Sequence, residues 1–204
     1  MFLPILVVGF QRVSGLSVIK QVEARLSHVH AISVTLSTSY TNPSRQVKEY
    51  FQVLKGGYLR YRQRDSLAIV SPEKAWLVWP NQKRYQPRPA PPKGSAQNPF
   101  TGMPGLFGEG RLPAIGWAQE TTVGKEPAYL IKMDARKVLP RGSLYFLVSR
   151  DKKLPLGFRI VQDKLTIEGV YSDLKLDPPL KPSDFTFTPG KGWTAMPSGG
   201  GSKG

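Results

Sequence analysis

Four groupings of side chains in this sequence are of types that do chemistry, and three lack the company that chemistry needs. Ser17-Val18-Ile19-Lys20 sets a lysine one helical turn beyond a serine, a spacing at which an amine can take the hydroxyl proton in acyl transfer. The Lys-Thr-Gly strand and Ser-x-Asn element that complete such a site are absent, so the pair reads as a solvated helix face. His28 and His30 stand two apart and point to different faces, and with two His and no Cys in the chain no metal centre is expected. Glu168, Asp173, Asp177 and Asp184 are spread along a turn-rich stretch with no pair singled out for acid–base work. The expectation is a protein without catalytic residues, metal or cofactor, and so not an enzyme. The fourth grouping is more suggestive. Arg60, Arg62 and Arg64 alternate along one strand face with Tyr58, their guanidinium groups about 7 Å apart. Such a row could grip phosphates. It could equally be the solvated outer face of a sheet, with arginine serving solubility and edge protection.

The whole chain leans the same way. It carries 29 Lys and Arg against 14 acids, a net charge of +15. Eleven of those cations, with three acids, fall between residues 45 and 93. A chain so basic adsorbs to polyanions, whether nucleic acid, anionic lipid or acidic glycan. The absence of cysteine excludes disulfides, thiolate metal sites and a cysteine nucleophile. A length of 204 residues suits one domain, and 20 Gly with 19 Pro favour turns and short strands over long helices.

The elements that must position these groups follow from periodicity. Over residues 16–30, Ile19, Val22, Leu26 and Val29 recur three and four apart, which predicts one amphipathic helix with Ser14 or Ser17 at its start. From Ala31 the period becomes two. Ile32, Val34 and Leu36 alternate with Ser33, Thr35 and Ser37, as in a strand with one buried face. Further strands are expected at 47–55, 58–64, 67–71, 75–79, 116–123, 128–134, 144–149, 157–162, 164–171 and, last and short, 185–188. Turn chemistry at Lys55-Gly56-Gly57-Tyr58 and Ser71-Pro72-Glu73-Lys74 makes the first group an antiparallel meander. The Pro- and Gly-rich stretch 88–113 reads as a long loop, a lid or a plain insertion, with a short helix near Leu106-Phe107. The apolar run at residues 1–10 has the length of a signal-peptide core, so residues 1–15 are expected to be a signal peptide; a buried first strand is the alternative. Residues 16–192 form the domain, and 193–204 a flexible tail.

The predicted fold is mainly β: one curled antiparallel sheet of about ten strands, a half-open barrel, covered by the N-terminal helix. Alternation collects Val34, Leu36, Phe51, Val53, Leu59, Tyr61, Ile69, Ile131, Met133, Phe158, Ile160, Leu165 and Ile167 on one apolar face. One helix of about four turns cannot cover a sheet that large, so an apolar cavity between them is expected.

Two stretches resemble the LolA/LolB-like family of periplasmic lipoprotein-sorting proteins. The first is Val53 to Gln86, in which a Gly-hydrophobe-Arg-aromatic strand is followed by Ile69-Val70-Ser71, a turn and a Leu77-containing Trp strand. The second is Leu154 to Gly192, closing on Pro178-Pro179-Leu180 and Asp184-Phe185-Thr186-Phe187-Thr188-Pro189. With the helix and its Ser/Thr-alternating strand, the likeness spans most of residues 16–192. It implies a half-open barrel holding acyl chains, in a carrier of lipids or lipoproteins of the periplasm or cell envelope. Two departures stand out. Lys55 occupies the place of an arginine that helps hold the carrier's lid shut, and 88–113 replaces a shorter helical lid.

The expected function is therefore a non-catalytic, monomeric periplasmic carrier whose apolar cavity takes acyl chains of lipids or lipoproteins. The alternative is an envelope module that binds anionic lipid or glycan through the basic sheet face, with Lys55, Arg60, Arg62 and Arg64 as anion contacts. An anionic membrane surface is a further expected partner; a specific nucleic acid is not.

Overall fold

The computed structural model describes residues 12–90, 114–136 and 139–197. The apolar run 1–10, the expected short helix near Leu106-Phe107 and the last residues of the tail lie outside them.

Apolar residues three and four apart do form a helix, α1 (Gly15–Leu26), with Val18, Ile19 and Val22 on its buried side and Ser14 at the N-cap position. It stops four residues short of the expected end. Ser27 N–H closes the last turn on Glu23 O at 2.9 Å. The amides of His30 and Ala31 instead donate to the Asp177 carboxylate at 2.7 and 3.1 Å, which turns the chain into an extended strand.

Alternation then produces β1 (Ala31–Thr41), β2 (Ser44–Leu54), β3 (Tyr58–Gln63), β4 (Ser66–Val70), β5 (Ala75–Trp79) and β6 (Arg84–Arg88), a meander of successive hairpins. A second meander comprises β7 (Ala114–Val123), β8 (Glu126–Met133), β9 (Gly142–Ser149), β10 (Pro155–Gln162) and β11 (Leu165–Leu176). Its last strand returns to pair with β1, so the two meanders fuse into one open antiparallel sheet. With the two-residue β12 (Thr194–Ala195), which runs parallel to β6, the strands among the described residues number twelve rather than about ten.

Three expectations need correcting. Residues 84–88, for which no strand was expected and whose last residue was read as the start of a loop, are a strand. Residues 185–188 are not one: Phe185 ends a 3-10 turn at Pro182–Phe185, and the last pairing falls at Thr194–Ala195. The tail begins later than 193, because Trp193 packs into the protein and the amides of Thr194 and Met196 donate to Lys83 O and Tyr85 O at 2.9 and 2.7 Å.

Cross-strand partners share a face, so the register assigns every side chain. Ile32, Val34 and Leu36 of β1 stand on the helix face with Val53 and Phe51 of β2, Leu59 and Tyr61 of β3, and Ala68 of β4. On the other wing the same face holds Tyr171, Phe158, Phe146 and Ile131. Here α1 seals the main core: Val18, Ile19 and Val22 pack with Ile131, Met133, Leu144, Phe146 and Val148. Gly169 is required in that core, because a Cβ there would overlap the Phe158 ring. The second core lies on the opposite face. Ile69 and Val78 are buried there beneath a C-terminal strap, residues 177–196, which leaves β11 and crosses to the edge of β6. Phe185 is fully buried against Tyr58, with ring centroids 5.6 Å apart, and Phe187 sits between Tyr85 and Trp193. Strand β1, central in the sheet, is buried on both faces over residues 31–36 rather than on one.

Candidate functional site

The thirteen residues expected to line a cavity divide into three sets. Val34, Leu36, Ile131 and Met133 are ordinary core beneath α1, each less than a tenth exposed, and Phe51, Phe158 and Ile160 pack against that core. Ile69 is on the wrong face: it pairs with Arg60, not with Tyr61, and belongs to the core under the strap. The third set is what α1 leaves uncovered. Leu59, Tyr61, Leu165 and Ile167 lie on the helix face, are half-buried and join neither core cluster; Val53 is buried beside them. Ala68 and Leu77, directly paired across β4 and β5, extend this surface. Helix-face apolar surface thus continues past the helix over β2–β5, where Phe51 is the one side chain that packs against the main core.

The apolar strip ends in a polar cluster. Tyr61 stacks on Phe51 with ring centroids 4.8 Å apart and donates its hydroxyl proton to the Glu49 carboxylate. Gln63 Nε2 donates to the same carboxylate at 3.2 Å. Burial, and then the hydrogen bond to Glu49, push the Tyr61 phenol above its ordinary value, so it stays neutral. Neither Glu49 nor Gln63 was singled out in the sequence. Their place at the mouth of the strip depends on the β2–β3 register, Glu49 opposite Gln63.

The basic row is on the other face. Arg62 and Arg64 line a groove of about 550 Å³ with Lys48, Tyr50, Thr35 and Ser37, and Gln46, Val47 and Glu49 also border it. Arg64 stands just past the strand, in a turn with φ of 42°, and still reaches this groove. Arg60 is one pair further toward the strap, opposite Gln52, and does not line it. Lys55 lies at the far end of β2 in the β2–β3 turn, exposed, its amide donating to His30 O at 2.7 Å. The anion contacts expected from sequence therefore come apart: two are together, two are elsewhere.

The remaining groupings have structural partners or stand open to solvent. Glu168 accepts from Arg159 Nε at 2.7 Å, and Asp184 accepts the Lys181 amide at 2.8 Å at the start of the 3-10 turn. The amides of His30 and Ala31 hold the Asp177 carboxyl below its ordinary range. Ser17 and Lys20 are exposed on α1, as are His28 and His30 beyond it. Among the described residues no cluster of His, Cys, Asp and Glu could hold a metal ion.

No family model matches the chain, and no curated protein matches it significantly in sequence. Solved structures do. An uncharacterized conserved protein from Thermus thermophilus superposes with a TM-score of 0.56 at 10% identity, over 88% of this chain and 96% of that one. Looser matches include a LolA superfamily protein from Nitrosomonas europaea, with a TM-score of 0.42 at 11% identity over 86% and 98% of the two chains. LprF from Mycobacterium bovis matches with a TM-score of 0.48 at 8% identity, over 82% and 94%. At such identities the likeness is one of fold.

Proposed function

We propose that this chain is a non-catalytic carrier of the periplasm or cell envelope, and that it holds acyl chains of a lipid or lipoprotein on the helix face of its sheet. The observation that supports this most is the position of Leu59, Tyr61, Ala68 and Leu77. They continue the face that α1 seals over β1 and β7–β11, yet they are half-buried and join neither packed cluster. Side chains left this way on a core-forming face gain by apolar cover. Each acyl CH₂ moved from water onto them contributes about 0.8 kcal/mol, so one long chain gives several kcal/mol after ordering costs. The Glu49–Tyr61–Gln63 cluster gives the strip a polar end, which suits a ligand with an apolar tail and a polar head. The resemblance read from the sequence favours the same ligand class.

The site proposed here is narrower than the cavity expected from sequence. Val34, Leu36, Ile131 and Met133 belong to the packed core under α1 on the same face, and the contact residues are Phe51, Leu59, Tyr61, Ala68 and Leu77. Native mass spectrometry of protein purified under mild conditions tests the reading. A mass increment matching one or a few acyl-bearing molecules is expected. Protein that is free of lipid, and stays so after incubation with fatty acid or phospholipid, would count against it.

A further inference from the structure

The geometry points to a second site, on the opposite face of the sheet, that binds a phosphate-type oxyanion in the groove formed by Lys48, Tyr50, Arg62 and Arg64. Three observations carry it. First, Lys48, Arg62 and Arg64 border one open groove of about 550 Å³, within the size range of small-ligand sites. Second, its cations are uncompensated. Some exposed cations in the β7–β11 half of the sheet do have acid partners: Arg159 with Glu168 at 2.7 Å, Lys152 with Glu126 at 3.0 Å and Arg150 with Glu120 at 3.9 Å. No described carboxylate pairs with Lys48, Arg62 or Arg64. Glu49 also borders the groove, but its carboxylate is engaged elsewhere, as is that of Asp65. Glu49 accepts from Tyr61 and Gln63, and Asp65 accepts from Asn81 Nδ2 at 2.9 Å. Third, the groups suit the ligand. Thr35, Tyr50 and Arg62 are consecutive cross-strand partners, which sets two hydroxyls and a guanidinium in one row. Guanidinium binds phosphate through a two-pronged fork, and hydroxyls add donors between the forks. Unpaired cations around one groove also concentrate their field in it.

The cations of this site lie on the face opposite the apolar strip, because residues of opposite parity on β2 and β3 carry the two, and Glu49 borders both. Isothermal titration with inorganic pyrophosphate at low and moderate salt tests it directly. The wild-type protein should bind, with affinity falling as salt rises. Arg62→Gln with Arg64→Gln should weaken binding at least tenfold and flatten the salt dependence while leaving the circular dichroism spectrum and apolar-probe uptake unchanged. Arg62→Lys with Arg64→Lys should recover part of the affinity. Lys83→Gln with Lys191→Gln, which removes two exposed cations elsewhere, should behave as wild type. Retention on phosphatidylglycerol vesicles, but not phosphatidylcholine vesicles, assigns the oxyanion to a lipid headgroup if pyrophosphate competes it away; pyrophosphate binding without retention assigns it to a soluble phosphate compound. Equal weakening by the Lys83/Lys191 pair, or no loss with the Arg62/Arg64 pair in either arm, would overturn the proposal.

Discussion

On β8 and β9 the buried side chains Ile131, Phe146 and Val148 face α1, whereas on β4 and β5 the buried Ile69 and Val78 face the other way, beneath the strap. The two wings of one continuous sheet thus keep their cores on opposite faces. The cause is reach. A helix of twelve residues is about 18 Å long, which spans roughly four strands at about 4.8 Å spacing, not twelve. The far wing must take its second layer from elsewhere, and the C-terminal strap supplies it on the other side. What remains over β2–β5 on the helix face is apolar surface without a packed cluster, and what remains beside the strap on the opposite face is the basic groove. Both candidate sites are consequences of this exchange of faces.

Substitutions that treat the two wings differently sharpen the comparison. The largest effect is expected from Leu36→Glu, which places a charge in the main core at a side chain 6% exposed. It should prevent folding, seen as loss of cooperative thermal unfolding. Phe146→Ala, fully buried under the helix, should cost about 3–5 kcal/mol in urea denaturation. Phe185→Ala removes an equally buried ring but from the strap, which packs on one wing only, so a smaller loss of about 2 kcal/mol is expected. Hydrogen exchange should then show faster amides in β3–β6 and unchanged ones in β8–β10. Equal losses everywhere would mean that the wings unfold as one unit.

Gly169→Ala forces the Phe158 ring aside and should cost about 1–3 kcal/mol, read from the same urea transition. The smallest effect is expected from Asp177→Asn. The folded-state carboxyl lies below its ordinary value of 3.8, so its contribution is present above that pH and is lost as pH falls through the lower folded value. The variant should melt slightly below wild type at pH 7 and show less further loss on acidification below pH 4.

The sequence made one wing more legible than the other. Strict alternation of Ile32, Val34 and Leu36, and the period of Ile19 and Val22, mark the apolar faces directly, so the helix and its sheet face could be read from them, but not that α1 packs onto Val34 and Leu36 instead of leaving a cavity. Alternation alone puts Ile69 on the wrong face, because its face depends on the pairing of Arg60 with Ile69, which the Arg64-Asp65 turn sets. Strand β6 was obscured by Pro87, a residue strands rarely accept away from edges. In the strap, Phe185 and Phe187 alternate with threonines as a strand would. Proline at 182 and 189 limits the amides available for pairing, and the rings are held by Tyr58 and Tyr85 instead. Lys48 and Tyr50 carry no signal of their own. They become partners of Arg62 and Arg64 through the β2–β3 register.

The central claim is that the helix face beyond α1 holds an apolar chain, and binding of a fluorescent fatty acid by Leu59→Glu tests it most directly. Leu59 is half-buried and outside both cores, so the variant should fold with a melting temperature near that of wild type. Wild-type protein should bind the probe with little dependence on salt, and Leu59→Glu should lose at least tenfold in affinity. A folded Leu59→Glu protein that binds the probe as tightly as wild type would contradict the account.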